Sequence, residues 1–198
     1  MRTEEDVLGE RKLPADALYG INTLRALENF PLTGRTIATL PEFVPALAMI
    51  KEAAALANKE IGALSAQKAE ALIEAVQEIR VGKQDAHLIV DVLEGSGGTS
   101  SNMNLNEVIA NLAARLTGKP VGEYAFVHPN DDVNLGQSAN DTAMSLRSFG
   151  CRRDFARRDA TGRRVLGQEK GAFANPSAWP DMFAGCRSNA IRSDLQGI

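Results

Sequence analysis

Three stretches of apolar residues at helical spacing, each closed by a glycine, constrain this chain more than any other feature. Pro41 and Glu42 open the first, where Phe43, Leu47, Ile50, Ala54 and Ala57 fall at i, i+4, i+7, i+11 and i+14. Lys51, Asn58 and Lys59 are expected on its other faces, and Gly62 ends it. Ser65 is placed to cap the second, which carries Leu72, Val76 and Ile79 and runs to about Arg80, before Gly82. The third carries Leu105, Ile109, Leu112 and Leu116 and is stopped by Gly118 and Pro120. Residues 1–40 read as an extended, turn-rich leader with a short element over Thr23–Phe30, and a fourth helix starts at Ser138–Thr142. The pattern predicts a mostly α fold without internal repeats.

Composition narrows the class. The chain has 198 residues, enough for one core, and its 44% hydrophobic and 24% charged content is that of a globular domain. A net charge of -3 argues against a surface for nucleic acid. No apolar run reaches the ~18–20 residues of a membrane span, so no membrane partner is expected. The acidic start Met1–Asp6 lacks the apolar stretch of a signal peptide, and a cytoplasmic location is expected. Cys151 and Cys186 are too few for a disulfide framework, and with His87 and His128 as the only histidines no metal site is expected.

Two loop-to-helix junctions carry the functional question. Gly97–Asn102 and Gln137–Thr142 are small and polar, and each lies just before a helix. Unpaired amides and the positive end of the helix dipole favour an anion there, and the hydroxyls and side-chain amides add oriented donors. Ordinary capping by Ser, Thr and Asn explains the same residues. His128-Pro129-Asn130-Asp131-Asp132 reads as a surface turn rather than a His/Asp acid–base pair. Arg25 fits a surface ion pair as well as a carboxylate clamp, and His87 fits a structural role.

In order and spacing these segments resemble the aspartase/fumarase superfamily. The residues are Arg2–Arg11, Pro14–Gly20, Thr23–Phe30, Thr99–Asn104 with Asn106-Glu107-Val108, His128–Asp131 and Gln137–Asp141. The match runs from about residue 2 to 147, and the Thr23–Phe30 segment resembles aspartate ammonia-lyases more than fumarases. The resemblance implies a helical N-terminal domain over 1–134 and the start of a long central helical bundle over 135–147. In the family, four subunits join through that bundle, and each active site takes segments from three of them. The implied reaction needs no cofactor. It removes ammonia from L-aspartate through a doubly charged aci-carboxylate, with fumarate hydration as the alternative and a small dicarboxylate or amino acid as substrate. Carried over by residue, Thr99, Ser100 and Ser138 donate to that carboxylate. Asn140 contacts the substrate's amino or carboxylate end, Arg25 helps from the periphery, and His128, Asn130 and Asp131 match a second, non-catalytic anion site.

The departures are as specific. Ala139 stands where the family has a hydroxyl residue, and Asp132 where a histidine is common. No Gly-Ser-Ser-x-Met-Pro-x-Lys-x-Asn segment occurs, so no catalytic serine is expected in this chain, which reads as a truncated, inactive fragment or a non-catalytic interaction module. From about residue 148 the character changes: nine of 15 arginines fall in 147–198, with both cysteines and the only tryptophan. Codons for Trp179–Gln196, shifted by one base, permit GRTCLQDAVPMRLGQTFK, which is similar to the family's next stretch, GRTxLQDAVPxxLGQ. Residues 148–198 are therefore expected to be an aberrant, frameshifted tail.

Overall fold

The computed structural model describes residues 1–40, 42–94, 96–138 and 142, and the tail expected to be frameshifted lies outside them. The leader forms a hairpin, β1 (Arg2–Asp6) and β2 (Gly9–Leu13), paired antiparallel with Arg2 opposite Leu13 and Asp6 opposite Gly9. Gly9 takes φ +98, which a side chain would resist, and the Asp6 carboxylate accepts from the Leu8 amide at 2.8 Å to close the turn. Among the described residues four α-helices have their full range: α1 (Ile21–Asn29), α2 (Phe43–Glu60), α3 (Ala66–Arg80) and α4 (Thr99–Leu116). A single π turn, Pro129–Val133, lies in the last loop.

Local chemistry explains the boundaries. Pro45 lies in the first turn of α2, where a missing N–H costs nothing. The Ser65 hydroxyl accepts from the Lys68 amide at the start of α3, as its position predicted. Gly118, at φ +70, donates its amide to the Arg115 carbonyl and closes α4.

The core lies between α2, α3 and α4, with Leu47, Leu72, Ile79, Leu105, Ile109 and Leu112 among its fully enclosed side chains. At roughly 1.5–3 kcal/mol for each buried side chain of this size, these six outweigh any single polar contact in the fold.

The sequence places the buried stripe of α2 wrongly by part of a turn. The enclosed residues are Val44, Ala46, Leu47, Ala48, Ile50, Lys51 and Ala55, so Leu47 and Ile50 are buried as expected, whereas Ala57 is exposed and Phe43 and Ala54 are half-buried. Lys51, expected on another face, is only 2% exposed. Leu116, expected in the core, is 37% exposed at the end of α4. Helix α4 is buried almost all round: Ser101, Asn102, Asn104, Asn106, Glu107 and Asn111 are as enclosed as its leucines. Their partners lie in other segments. Asn104 accepts from the amides of Ile89 (3.0 Å) and Val90 (3.4 Å) and donates to the His87 carbonyl (2.9 Å). Asn111 accepts from Gly122 at 2.7 Å and donates to the Leu18 carbonyl at 2.8 Å. The polar side of α4 thus replaces backbone pairing for several loops that would otherwise bury unmatched groups.

Candidate active site

The α4 junction begins at Gly98, whose φ of +104 turns the loop into the helix and which offers no side chain as a cap. Its donors are met from the loop. The Ser96 hydroxyl accepts from the Ser100 amide at 2.9 Å, and the Ser96 and Ser100 hydroxyls lie 2.9 Å apart. The Glu94 carboxylate accepts from the Ser101 amide at 2.7 Å and from the Ser96 hydroxyl at 3.0 Å. A carboxylate is therefore already seated at the positive end of α4, where the dipole and the free amides favour one. Thr99 and Ser100 are half-buried beside it. The sequence reading named both but missed Glu94, because a glutamate in a Gly/Ser-rich loop carries no local sign of capping a helix seven residues on.

The second junction is held from beneath. Asn134 donates to the Gln137 carbonyl at 3.0 Å, and the Gln137 side chain donates back to the Val133 carbonyl at 2.9 Å. Lys51 donates to the Asn134 and Gln137 side-chain oxygens at 2.9 and 2.8 Å. Ser138 follows, exposed, with its carbonyl accepting from both the amide (3.0 Å) and the hydroxyl (2.8 Å) of Thr142. Ala139 and Asn140 lie outside the described residues. No carboxylate touches Lys51 among the hydrogen bonds described, and burial lowers its pKa to about 7.

The remaining candidates are occupied. The Arg25 guanidinium grips Asp6 at 2.6 and 2.5 Å and the Gly9 carbonyl at 2.8 Å. It therefore has a local partner that the sequence did not reveal, and the hydrogen bond it forms holds the Asp6 carboxyl below its ordinary pKa. The pair pins α1 to the hairpin turn. His128 caps the π turn: its Nδ1 accepts from the Asp131 amide at 3.2 Å, and its own amide donates to Asp132 at 2.8 Å. As an acceptor that nitrogen carries no proton, so the Asp131 carboxylate, also at 3.2 Å, pairs with it only when the ring is protonated. Asn130 and Asp131 are exposed, as a surface turn requires. Asp132 takes a bidentate bond from Lys68, 2.8 Å to each oxygen. His87, half-buried beside Tyr19, accepts from the Leu18 amide at 3.4 Å, and burial lowers its pKa. Among the described residues no group of three or more His, Cys, Asp or Glu side chains is arranged to hold a metal ion. None of the described helices is long and apolar enough to cross a membrane.

A family model described as "Lyase" matches residues 9–149, and the chain belongs to that family. Within it, the chain resembles the N-terminal part of the aspartate ammonia-lyases of the aspartase/fumarase superfamily. It is 51% identical over 148 residues to the aspartate ammonia-lyase of Pseudomonas fluorescens, covering 73% of this chain and 31% of that protein. It is also 51% identical over 151 residues to the class II fumarate hydratase of Halobacterium salinarum, covering 75% and 32%. Among solved structures, a fumarate lyase:delta crystallin from Brucella melitensis superposes with a TM-score of 0.73 at 47% identity, covering 77% and 35%. The chain thus spans about a third of the length of the curated relatives it matches.

Proposed function

We propose that this chain supplies two of the substrate-binding segments of an aspartate ammonia-lyase, which converts L-aspartate to fumarate and ammonia. The observation that carries the reading is the α4 junction, where the hydroxyls of Thr99 and Ser100 flank a helix end that already attracts a carboxylate. In the reaction a base removes a proton from the carbon next to the side-chain carboxylate, and the electron pair moves into that group as the aci-form. The pair then returns to form the double bond, and ammonia leaves with the electrons of the C–N bond. Charge grows on the carboxylate during the first step, so donors fixed in advance around it lower the barrier. Thr99, Ser100 and Ser138 take that role, Asn140 meets the substrate's amino or carboxylate end, and Arg25 acts indirectly by seating α1. His128, Asn130 and Asp131 form the second anion site. The serine-loop segment that supplies the proton-abstracting group in the family does not occur in this sequence, so the chain by itself is inactive; the intact enzyme of the family is a homotetramer, and its location is cytoplasmic.

The test mixes the purified chain with the remaining two thirds of the Pseudomonas fluorescens relative and follows fumarate by its ultraviolet absorbance. The chain alone should give no signal with aspartate, and the mixture should give one. Fumarate formed from malate and not from aspartate would replace this reading with the hydratase, which the Halobacterium salinarum likeness favours as the alternative. Residues 148–198 are read as a product of a one-base shift, and resequencing the DNA from the Asn140 codon onward tests that. An unshifted frame would make the tail genuine.

A further inference from the structure

Lys51 differs from the other lysines of this fold whose partners are described. Lys59, Lys68 and Lys83 meet carboxylates, whereas the Lys51 ammonium is fully enclosed and bonds only to neutral amides in the hydrogen bonds described. Those amides join three parts of the molecule. Asn134 Oδ1 accepts from Lys51 on α2 at 2.9 Å, and from Asn102 and Asn106 on α4 at 3.0 and 3.4 Å. Three donors thus converge on one oxygen, while the oxygens of Asn102 and Asn106 are buried without a partner. An amide oxygen has two lone pairs, so three donors crowd it; the charged donor makes the strongest of the three bonds, and an orphaned buried oxygen is costly. The arrangement is an outlier that nothing in core packing requires. Asn102 lies one helical turn from Thr99, and Gln137, the second acceptor of Lys51, immediately precedes Ser138.

We propose that Lys51 is a positioning residue of the active site, whose ammonium fixes the Asn134–Gln137 turn and through it sets Ser138 in register with the Thr99–Ser100 end of α4. The geometry stands without any ligand; its chemical meaning rests on the lyase reading above.

The experiment is backbone amide exchange by NMR on the full chain, comparing the wild type with Lys51→Met and Gln137→Leu. The first substitution keeps the apolar stem and removes the donors. The second removes one acceptor from a half-exposed loop position and spares the core. The Gln137 amide, bonded to the Asn134 carbonyl at 3.0 Å, should exchange at least tenfold faster in both variants. The Thr23 and Ile37 amides should keep their wild-type rates. Unchanged Gln137 exchange in every variant that folds, or acceleration spread evenly over the chain, would overturn the proposal. Fumarate then serves as the probe of coupling. In the wild type it should shift the amide resonances of both Ser100 and Ser138, and in Lys51→Met the Ser100 response should survive while that of Ser138 is lost. A Ser138 response that persists in Lys51→Met would also overturn it. If fumarate shifts nothing in the wild type, the exchange result alone decides the role of Lys51, and the complementation test above decides the lyase reading.

Discussion

Helices α1 and α4 both begin after a glycine that offers no side chain, so each takes a carboxylate from elsewhere to meet its first amides. At α1 Glu4 takes the Ile21 amide at 2.9 Å, and the other amides are met by Glu107, which comes from α4 itself. It accepts from the amides of Gly20, Asn22 and Thr23, the Asn22 side chain and the Thr23 hydroxyl, at 2.6 to 3.1 Å. Burial pushes its pKa up, while five donors oppose that by pointing hydrogens at an acceptor-only group. At α4 the carboxylate is Glu94, half-buried, with two donors. A fully enclosed carboxylate with five donors is part of the frame; a half-buried one with two is held less firmly. On the proposed function, the difference separates a structural helix end from a substrate-binding one, although both use the same physics.

The comparison can be broken by substitution. Glu107→Ala should cost about 4 kcal/mol or more, because it orphans several buried donors at once. Chemical denaturation measures it, and a loss below about 1 kcal/mol would put Glu107 on the same footing as Glu94. Lys51 provides a pH test on the α4 side. Its folded pKa is about 7 against roughly 10.4 in an unfolded chain, so between those values the unfolded state binds the extra proton. Stability should therefore rise with pH across that window, by on the order of 2–4 kcal/mol, and Lys51→Met should remove the slope.

Asp91 resembles Glu107 on a smaller scale, seating the Thr33–Gly34 turn. Burial alone would raise its pKa, but the Leu93, Thr33 and Gly34 amides and the Thr33 hydroxyl outweigh it and bring the group to about 2. Its contribution is present above pH ~4 and should fade as pH falls toward 2. Acid titration of Asp91→Asn against the wild type reads it, and identical acid limbs would refute it. Glu94→Ala should cost least, about 1 kcal/mol, with faster exchange confined to the Ser101 amide. A larger or wider effect would make both helix ends structural.

Helix limits were legible because they depend on local chemistry: Ser65, Gly62 and Gly118 act on their own neighbours. The two junctions were legible as donor-rich loops, with Thr99 and Ser100 at one and Ser138 at the other. Lys51, Glu94 and Glu107 were not, for a common reason. A lysine in a helix and a glutamate in a polar loop look solvated until the segment that encloses them is known, and the Asn134 and Gln137 partners of Lys51 lie 83 and 86 residues away. The partner of Arg25 was hidden for the same reason, since Asp6 lies 19 residues earlier. Apolar periodicity also cannot show that α4 buries its asparagines, because the pattern assumes that polar residues face water.

The Glu107 seat has a consequence for the order of assembly. Its contacts with residues 20 to 23 close a loop of 84 to 87 residues. Closing a loop of that length carries a larger entropic cost than local turns do, so it follows the local elements. On a ribosome the hairpin and α1 emerge first but have no place to dock until α4 has been made. Residues 1–30 are then among the last to settle, and during that interval a chaperone or protease meets them as an unanchored segment.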